Sequence, residues 1–89
     1  MIERIILHPK FTRSYRKRIA RDKQLCLRTR QRIDLFKSNP FHPILCCHLL
    51  QGEKFGFHSF SITGDVRIIY TIEDNVATFI DIGTHNQVY

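Results

Sequence analysis

Apolar and polar positions follow two different periods along this chain. Residues 3–7, Glu-Arg-Ile-Ile-Leu, are mostly apolar and partly β-branched, which predicts a short strand. His8-Pro9-Lys10 interrupts it. From Phe11 to Lys37 there is no Gly or Pro, and good helix formers dominate. Phe11, Tyr15 and Ile19 recur every four residues on one helical face. Leu25, Thr29, Arg32/Ile33 and Phe36 make a second stripe. Asp22 lies between the stripes and suits a helix N-cap. The spacing predicts helices over 11–21 and 23–37, paired as a hairpin. Ser38-Asn39-Pro40 ends the second, because Pro cannot continue a helix and disfavours helical geometry before it.

Residues 40–54 predict a structured connection, after which the period becomes two. In 55–62, Phe55, Phe57, Ser59 and Ser61 alternate with Gly56, His58, Phe60 and Ile62. In 66–72, Arg67, Ile69 and Thr71 oppose Val66, Ile68, Tyr70 and Ile72. A third strand is predicted over 75–83. Thr63-Gly64-Asp65 and Glu73-Asp74-Asn75 carry hairpin-turn chemistry. The order is β-αα-βββ: an α+β fold, with a helical hairpin packed on one face of a mainly antiparallel twisted sheet. A length of 89 residues predicts one domain over 1–89.

Charge adds a second pattern. Residues 1–37 hold 12 Lys and Arg against 3 acids, a balance of +9; residues 38–89 hold 2 against 5, a balance of −3. Such asymmetry points to a polyanion, an acidic protein partner, or both. Nucleic-acid contacts are expected from Arg13, Arg16, Lys17, Arg21, Lys23 and Arg28, joined by Lys54 and His58. Electrostatics alone does not separate RNA from DNA. No apolar run is long enough to cross a bilayer, so no membrane partner is expected. The start, Met1-Ile2-Glu3-Arg4, lacks a signal-peptide pattern. Three cysteines, two of them adjacent, make a poor disulfide framework. A cytoplasmic location follows as the expectation.

Conventional catalytic signatures are missing: no phosphate-cradling Gly loop, no Gly-x-Ser-x-Gly, no His-Glu-x-x-His. A metal site could be drawn from His42, Cys46, Cys47 and His48, but zinc sites space paired ligands two to four residues apart, and adjacent cysteines in a strand point to opposite faces. No metal and no cofactor are expected, and Cys46 and Cys47 read as small buried hydrophobes. The remaining chemistry sits at strand ends. His48 opens the sheet region, Asp65 lies at a turn, Arg67 lies within an apolar strand, and His85 and Tyr89 follow the last strand. If the last three strands form a meander, residues 66 and 84 share one end. That end would gather Asp65, Arg67, His85 and Tyr89, with Gly83 permitting a turn. His, Tyr and Arg around one phosphate are what metal-free RNA cleavage requires: a base, an acid and a cation.

At these residues the chain resembles the RelE/ParE superfamily of type II toxin–antitoxin toxins, most closely its YafQ-like branch. The matching segments are His48-Leu49-Leu50-Gln51-Gly52, Gly64-Asp65, Arg67-Ile68-Ile69-Tyr70, and Gly83-Thr84-His85 with Tyr89 four residues on. The resemblance implies a RelE-like fold and a ribosome-dependent endoribonuclease. Such an enzyme cuts mRNA by attack of the 2′-OH on the adjacent phosphate, without metal. A cognate antitoxin is implied, as is binding of the toxin–antitoxin complex to operator DNA. Carried over by motif, His48, Asp65, His85 and Tyr89 fall on catalytic positions. The histidines would serve as general base or acid, Asp65 would position them, and Arg67 would stabilise the phosphate. This chain departs from the pattern at Ser61, where a second histidine is expected, at Val66 (a Trp) and at Asp81 (an Arg). A gyrase-poisoning toxin of the ParE type and a non-catalytic regulatory module are the alternative expectations.

Overall fold

The computed structural model describes residues 1–52 and 56–89 of the chain. Strand β1 (Arg4–Leu7) leads into helices α1 (Pro9–Arg18) and α2 (Lys23–Ser38). A 3-10 turn (Pro43–Leu45) and a two-residue strand β2 (His48–Leu49) follow. Strands β3 (His58–Ser61), β4 (Val66–Glu73) and β5 (Val76–Thr84) come next, then one helical turn, α3 (His85–Val88). The five strands lie in the order β1-β5-β4-β3-β2, with β1 parallel to β5 and every other pair antiparallel. The α+β architecture read from the sequence is therefore the one found.

The differences lie at element ends and in three short elements that the sequence pattern does not predict: the 3-10 turn, β2 and α3. Helix α1 starts at Pro9, before the predicted Phe11, because Pro suits the first helical position and the His8 ring caps it by accepting from the Lys10 amide at 3.0 Å. It stops at Arg18, and Asp22 starts α2 as expected, its carboxylate accepting from the Leu25 amide at 3.0 Å. The predicted strand over 55–62 is His58–Ser61; Phe55 and Lys54 lie outside the described residues. Gly83 makes no turn. It lies inside β5, opposite Arg67.

Helix α1 carries five cations and no acid. Like charges one turn apart each cost a few tenths of a kcal/mol. Burial outweighs that, since Phe11 is almost fully buried and a buried Phe contributes about 1.5–3 kcal/mol. Arg16, Lys17 and Arg18 also sit in the last turn, where the helix dipole favours positive charge.

The main core lies between the helices and one sheet face. Phe36 of α2 stacks on Phe60 of β3, with centroids 4.5 Å apart, and meets Tyr70 edge-on at 4.9 Å. Phe79 of β5 packs against Phe11, Phe36 and Phe60. Arg32 pins α2 to the sheet by donating to the backbone carbonyls of Ile44 and Ser61. A smaller cluster, Leu50, Phe57, Ile69 and Val88, occupies the other face. The α3 turn thereby closes over the sheet, and its Gln87 side chain accepts from the Thr84 amide at 2.8 Å.

Candidate active site

The register of the last hairpin builds one end of the sheet. Val66 pairs with Thr84, and Arg67 with Gly83. Ser61 pairs with Arg67, and Ser59 with both Ile69 and His48. Directly paired residues share a sheet face. Ser59, Ser61, Arg67 and His48 therefore share the face that α3 covers, opposite the main core. Asp74 and Asn75 make the β4–β5 turn with left-handed backbone (φ 52° and 64°), the two-residue geometry that fixes this register.

Contacts join the strand-end residues. Tyr89 donates its hydroxyl to Ser59 Oγ at 2.9 Å. His48 Nε2 lies 3.5 Å from the same Ser59 oxygen. The His85 ring meets the Tyr89 ring edge-on, with centroids 4.4 Å apart. Asp65 Oδ1 accepts from the His85 amide at 3.3 Å, holding the start of α3 to the β3–β4 turn. Arg67 Nη1 donates to Ser61 Oγ at 3.1 Å. All five proposed catalytic residues, His48, Asp65, Arg67, His85 and Tyr89, thus gather at one end of one face. His48, Asp65 and His85 are exposed and Arg67 is half-buried, leaving the cluster open to a large substrate.

Ser59 is the residue that sequence reading missed. It is fully buried, and it links His48 to Tyr89. Its signal was its place beside Ser61 on an otherwise aromatic strand: two small hydroxyls on one face leave room above them. Ser61 takes the Arg67 guanidinium rather than standing as a gap.

Asp81 is buried, 4 % exposed, and does not face the cluster as a bare negative charge. A bulge leaves Ile80 unpaired, since Ile69 pairs with Asp81 and Tyr70 with Phe79. The Asp81 carboxylate meets Arg18 at 3.3 Å and Lys10 at 3.6 Å, both from α1.

The expected nucleic-acid surface separates into parts. Arg13, Arg16, Lys17, Arg21, Lys23 and Arg28 are all exposed. His58 lies on the other face of the sheet from Ser59, stacked on Tyr70 at 5.3 Å, with its Nδ1 buried and unpartnered among the described residues. It joins neither the helices' surface nor the strand-end cluster. The predicted contact Lys54 is outside the described residues.

The cysteine-rich connection does other work. His42 Nδ1 caps the 3-10 turn by accepting from the Ile44 amide, and the Cys47 thiol donates to the Pro40 carbonyl. Among the described residues no three His, Cys, Asp or Glu side chains gather as metal ligands. Burial pushes the Cys47 thiol above its ordinary pKa and the neighbouring Tyr70 phenol further up. Among the described residues no helix is long and apolar enough to cross a membrane.

Comparison with known proteins places the fold. The chain superposes on YafQ from E. coli strain BL21(DE3) with a TM-score of 0.80, at 19 % identity over 96 % of each chain. It superposes on the toxin in the E. coli DinJ–YafQ complex with a TM-score of 0.79, at 21 % identity over 96 % of each chain. A YoeB/ParE toxin from Agrobacterium tumefaciens gives 0.75, at 19 % identity over 92 % of this chain and 98 % of its own. No curated protein matches the sequence. Identities this low establish fold alone. Membership comes from the family model for the bacterial toxin of type II toxin–antitoxin systems, YafQ, which matches residues 3–89. The chain belongs to the YafQ family of type II toxin–antitoxin toxins.

Proposed function

We propose that this toxin is a ribosome-dependent, metal-free endoribonuclease that cuts mRNA. The observation that carries the reading is the convergence of His48, Arg67, His85 and Tyr89, with Asp65 bonded to the His85 amide, at one end of one sheet face. One histidine removes the 2′-OH proton, and the 2′-oxygen attacks the adjacent phosphorus. Arg67 stabilises the charge of the pentavalent phosphate. The other histidine, with Tyr89 at its edge, protonates the departing 5′-oxygen. The products are a 2′,3′-cyclic phosphate and a 5′-hydroxyl end. The exposed helical cations hold the surrounding RNA by its phosphates, an interaction that weakens with salt.

The same surface supports a cognate antitoxin. Leu7, Phe11, Tyr15, Leu27 and Ile33 line a groove of about 750 Å³, rimmed by Arg16 and Arg30. An acidic amphipathic segment would bury its apolar face there and neutralise the rim. A relative, YafQ of E. coli, has been solved in complex with DinJ, which supports a protein partner for this chain. Operator binding by the toxin–antitoxin pair completes the reading, and a small open reading frame beside the gene is its cheapest check.

Induced expression tests the enzyme. Growth and translation should stop, and His85→Ala should relieve the arrest. Full toxicity in both His85→Ala and Arg67→Ala would place the site elsewhere. Gyrase-dependent DNA damage with intact mRNA would replace the reading with gyrase poisoning.

A further inference from the structure

Of the five cations on α1, Arg18 alone is half-buried. The other four are exposed. Its Nη1 donates to Asp81 Oδ1 at 3.3 Å and to the Ile82 carbonyl at 3.0 Å. Both acceptors lie on β5 beyond Phe79, where pairing with β1 has ended. Arg18 therefore covers a sheet edge that no strand covers. One nitrogen makes both contacts. Among the described residues nothing else bonds the guanidinium, so Nε and Nη2 keep three N–H donors.

Gly83 shows where that guanidinium lies. A Cβ on Gly83 would come within 2.9 Å of Arg18 Nη1 and 2.6 Å of Gln87 Oε1. Gly83 pairs with Arg67, so the space above it is on the Arg67 face. Arg18 thus reaches the face of the catalytic cluster from the β5 side, while Arg67 reaches it from β4. Asp81 does not cancel this charge. Its second oxygen faces Lys10 at 3.6 Å, so two cations meet one carboxylate and the local balance stays at +1. Asp81 Oδ1 is also held by the Ile82 amide at 2.9 Å, which fixes its direction.

We propose that Arg18 is a second phosphate-binding cation of the site and that Asp81 is its positioning residue. This rests on the ribonuclease reading above. Two guanidinium groups flank the phosphate, one from the sheet and one from α1. Arg18's planar fork holds Asp81 and the Ile82 carbonyl through one nitrogen and offers the other donors to non-bridging oxygens. The missing side chain of Gly83 makes the room that the Arg18 guanidinium occupies beside Gln87.

The test is single-turnover cleavage of a defined mRNA on programmed ribosomes, using wild type, Arg18→Met, Arg18→Lys, Asp81→Asn and the Arg18→Met/Asp81→Asn double variant. Removing one charge-stabilising donor costs on the order of 10²-fold in rate. Arg18→Met should lose about that much, with affinity for the ribosome changed less than about threefold. If Asp81 acts through Arg18, the double variant should be no slower than Arg18→Met alone. A wild-type rate for Arg18→Met, or fully additive losses in the double variant, overturns the proposal. Should Arg18→Met melt below the assay temperature, Arg18→Lys carries the test. A single ammonium cannot reproduce the fork, so at least a tenfold loss is expected, and a wild-type rate overturns the proposal. Wild-type protein that cuts no mRNA overturns the ribonuclease reading and this inference together. Cleavage that is unimpaired in the Arg18 variants overturns this inference alone.

Discussion

Tyr89 and Ser59 are 30 positions apart in sequence, and their hydroxyls meet at 2.9 Å. The bond anchors the last side chain of the sequence to the centre of strand β3, beside His48. It also turns the Tyr89 ring edge-on to His85. The segment is tied down by this side-chain chemistry and by Val88 in the small second core.

Cutting this bond should loosen the site without unfolding the protein. Tyr89 is 41 % exposed, so Tyr89→Phe removes a hydroxyl and little packing. Ser59→Ala removes the shared oxygen from a buried position. Each change should lower cleavage about 10- to 100-fold, as expected for misplacing groups that transfer protons. Thermal melting should fall by no more than about 4–8 °C, because a single neutral hydrogen bond contributes about 1 kcal/mol. Single-turnover rates measured beside melting curves check both halves.

Deleting residues 85–89 should abolish cleavage and lower stability, while the protein remains folded. The main core of Phe11, Phe36, Phe60, Tyr70 and Phe79 lies on the other sheet face and is untouched. The second core, however, loses Val88 from its contact with Leu50 and Ile69. Loss of that side chain costs about 1–3 kcal/mol. Circular dichroism of the truncated protein should keep the native far-ultraviolet spectrum with a reduced melting temperature.

Gly83→Ala should damage the site from a position with ordinary strand geometry. The added methyl would stand 2.6 Å from Gln87 Oε1 and 2.9 Å from Arg18 Nη1. Both side chains must move, taking with them the cap on the Thr84 amide and the bond to the Ile82 carbonyl. Both are the far ends of flexible side chains, so the cost is that of the displaced hydrogen bonds, about 1 kcal/mol each. Denaturant melts of Gly83→Ala read the cost, and cleavage assays read the displacement.

Stability should fall in alkali through Cys47 and Tyr70. Burial raises the pKa of both groups in the folded protein above the ordinary values of 9.0 and 10.0. The folded state then holds protons that the unfolded chain has released. The stabilisation is complete below about pH 9, and it is lost as pH rises from the unfolded values toward the folded ones. Tyr70→Phe should flatten the decline between pH 9 and 11, as read by urea unfolding at a series of pH values.

Much of the framework was legible because local chemistry wrote it. Asp22 as a cap, Asp74-Asn75 as a turn and the period-two alternation of 66–72 each needed only neighbours in sequence. The hairpin then forced Val66 beside Thr84, so the strand-end cluster followed from register. What stayed hidden depended on distant partners. Pro9 looked like a breaker because the same residue that ends a strand can start a helix. Asp81 read as a negative charge near the site, since nothing local announces that Lys10 and Arg18 come to meet it. Ser59 had no motif of its own, and its place between His48 and Tyr89 exists only after three segments converge.

The most direct test of the central claim maps mRNA 5′ ends across the transcriptome shortly after induction, with wild type beside His85→Ala. The account predicts new 5′-hydroxyl ends inside translated coding sequences in the wild type, lost in His85→Ala and suppressed when initiation is blocked. Arrested growth with no new ends, or the same ends in both proteins, would contradict it.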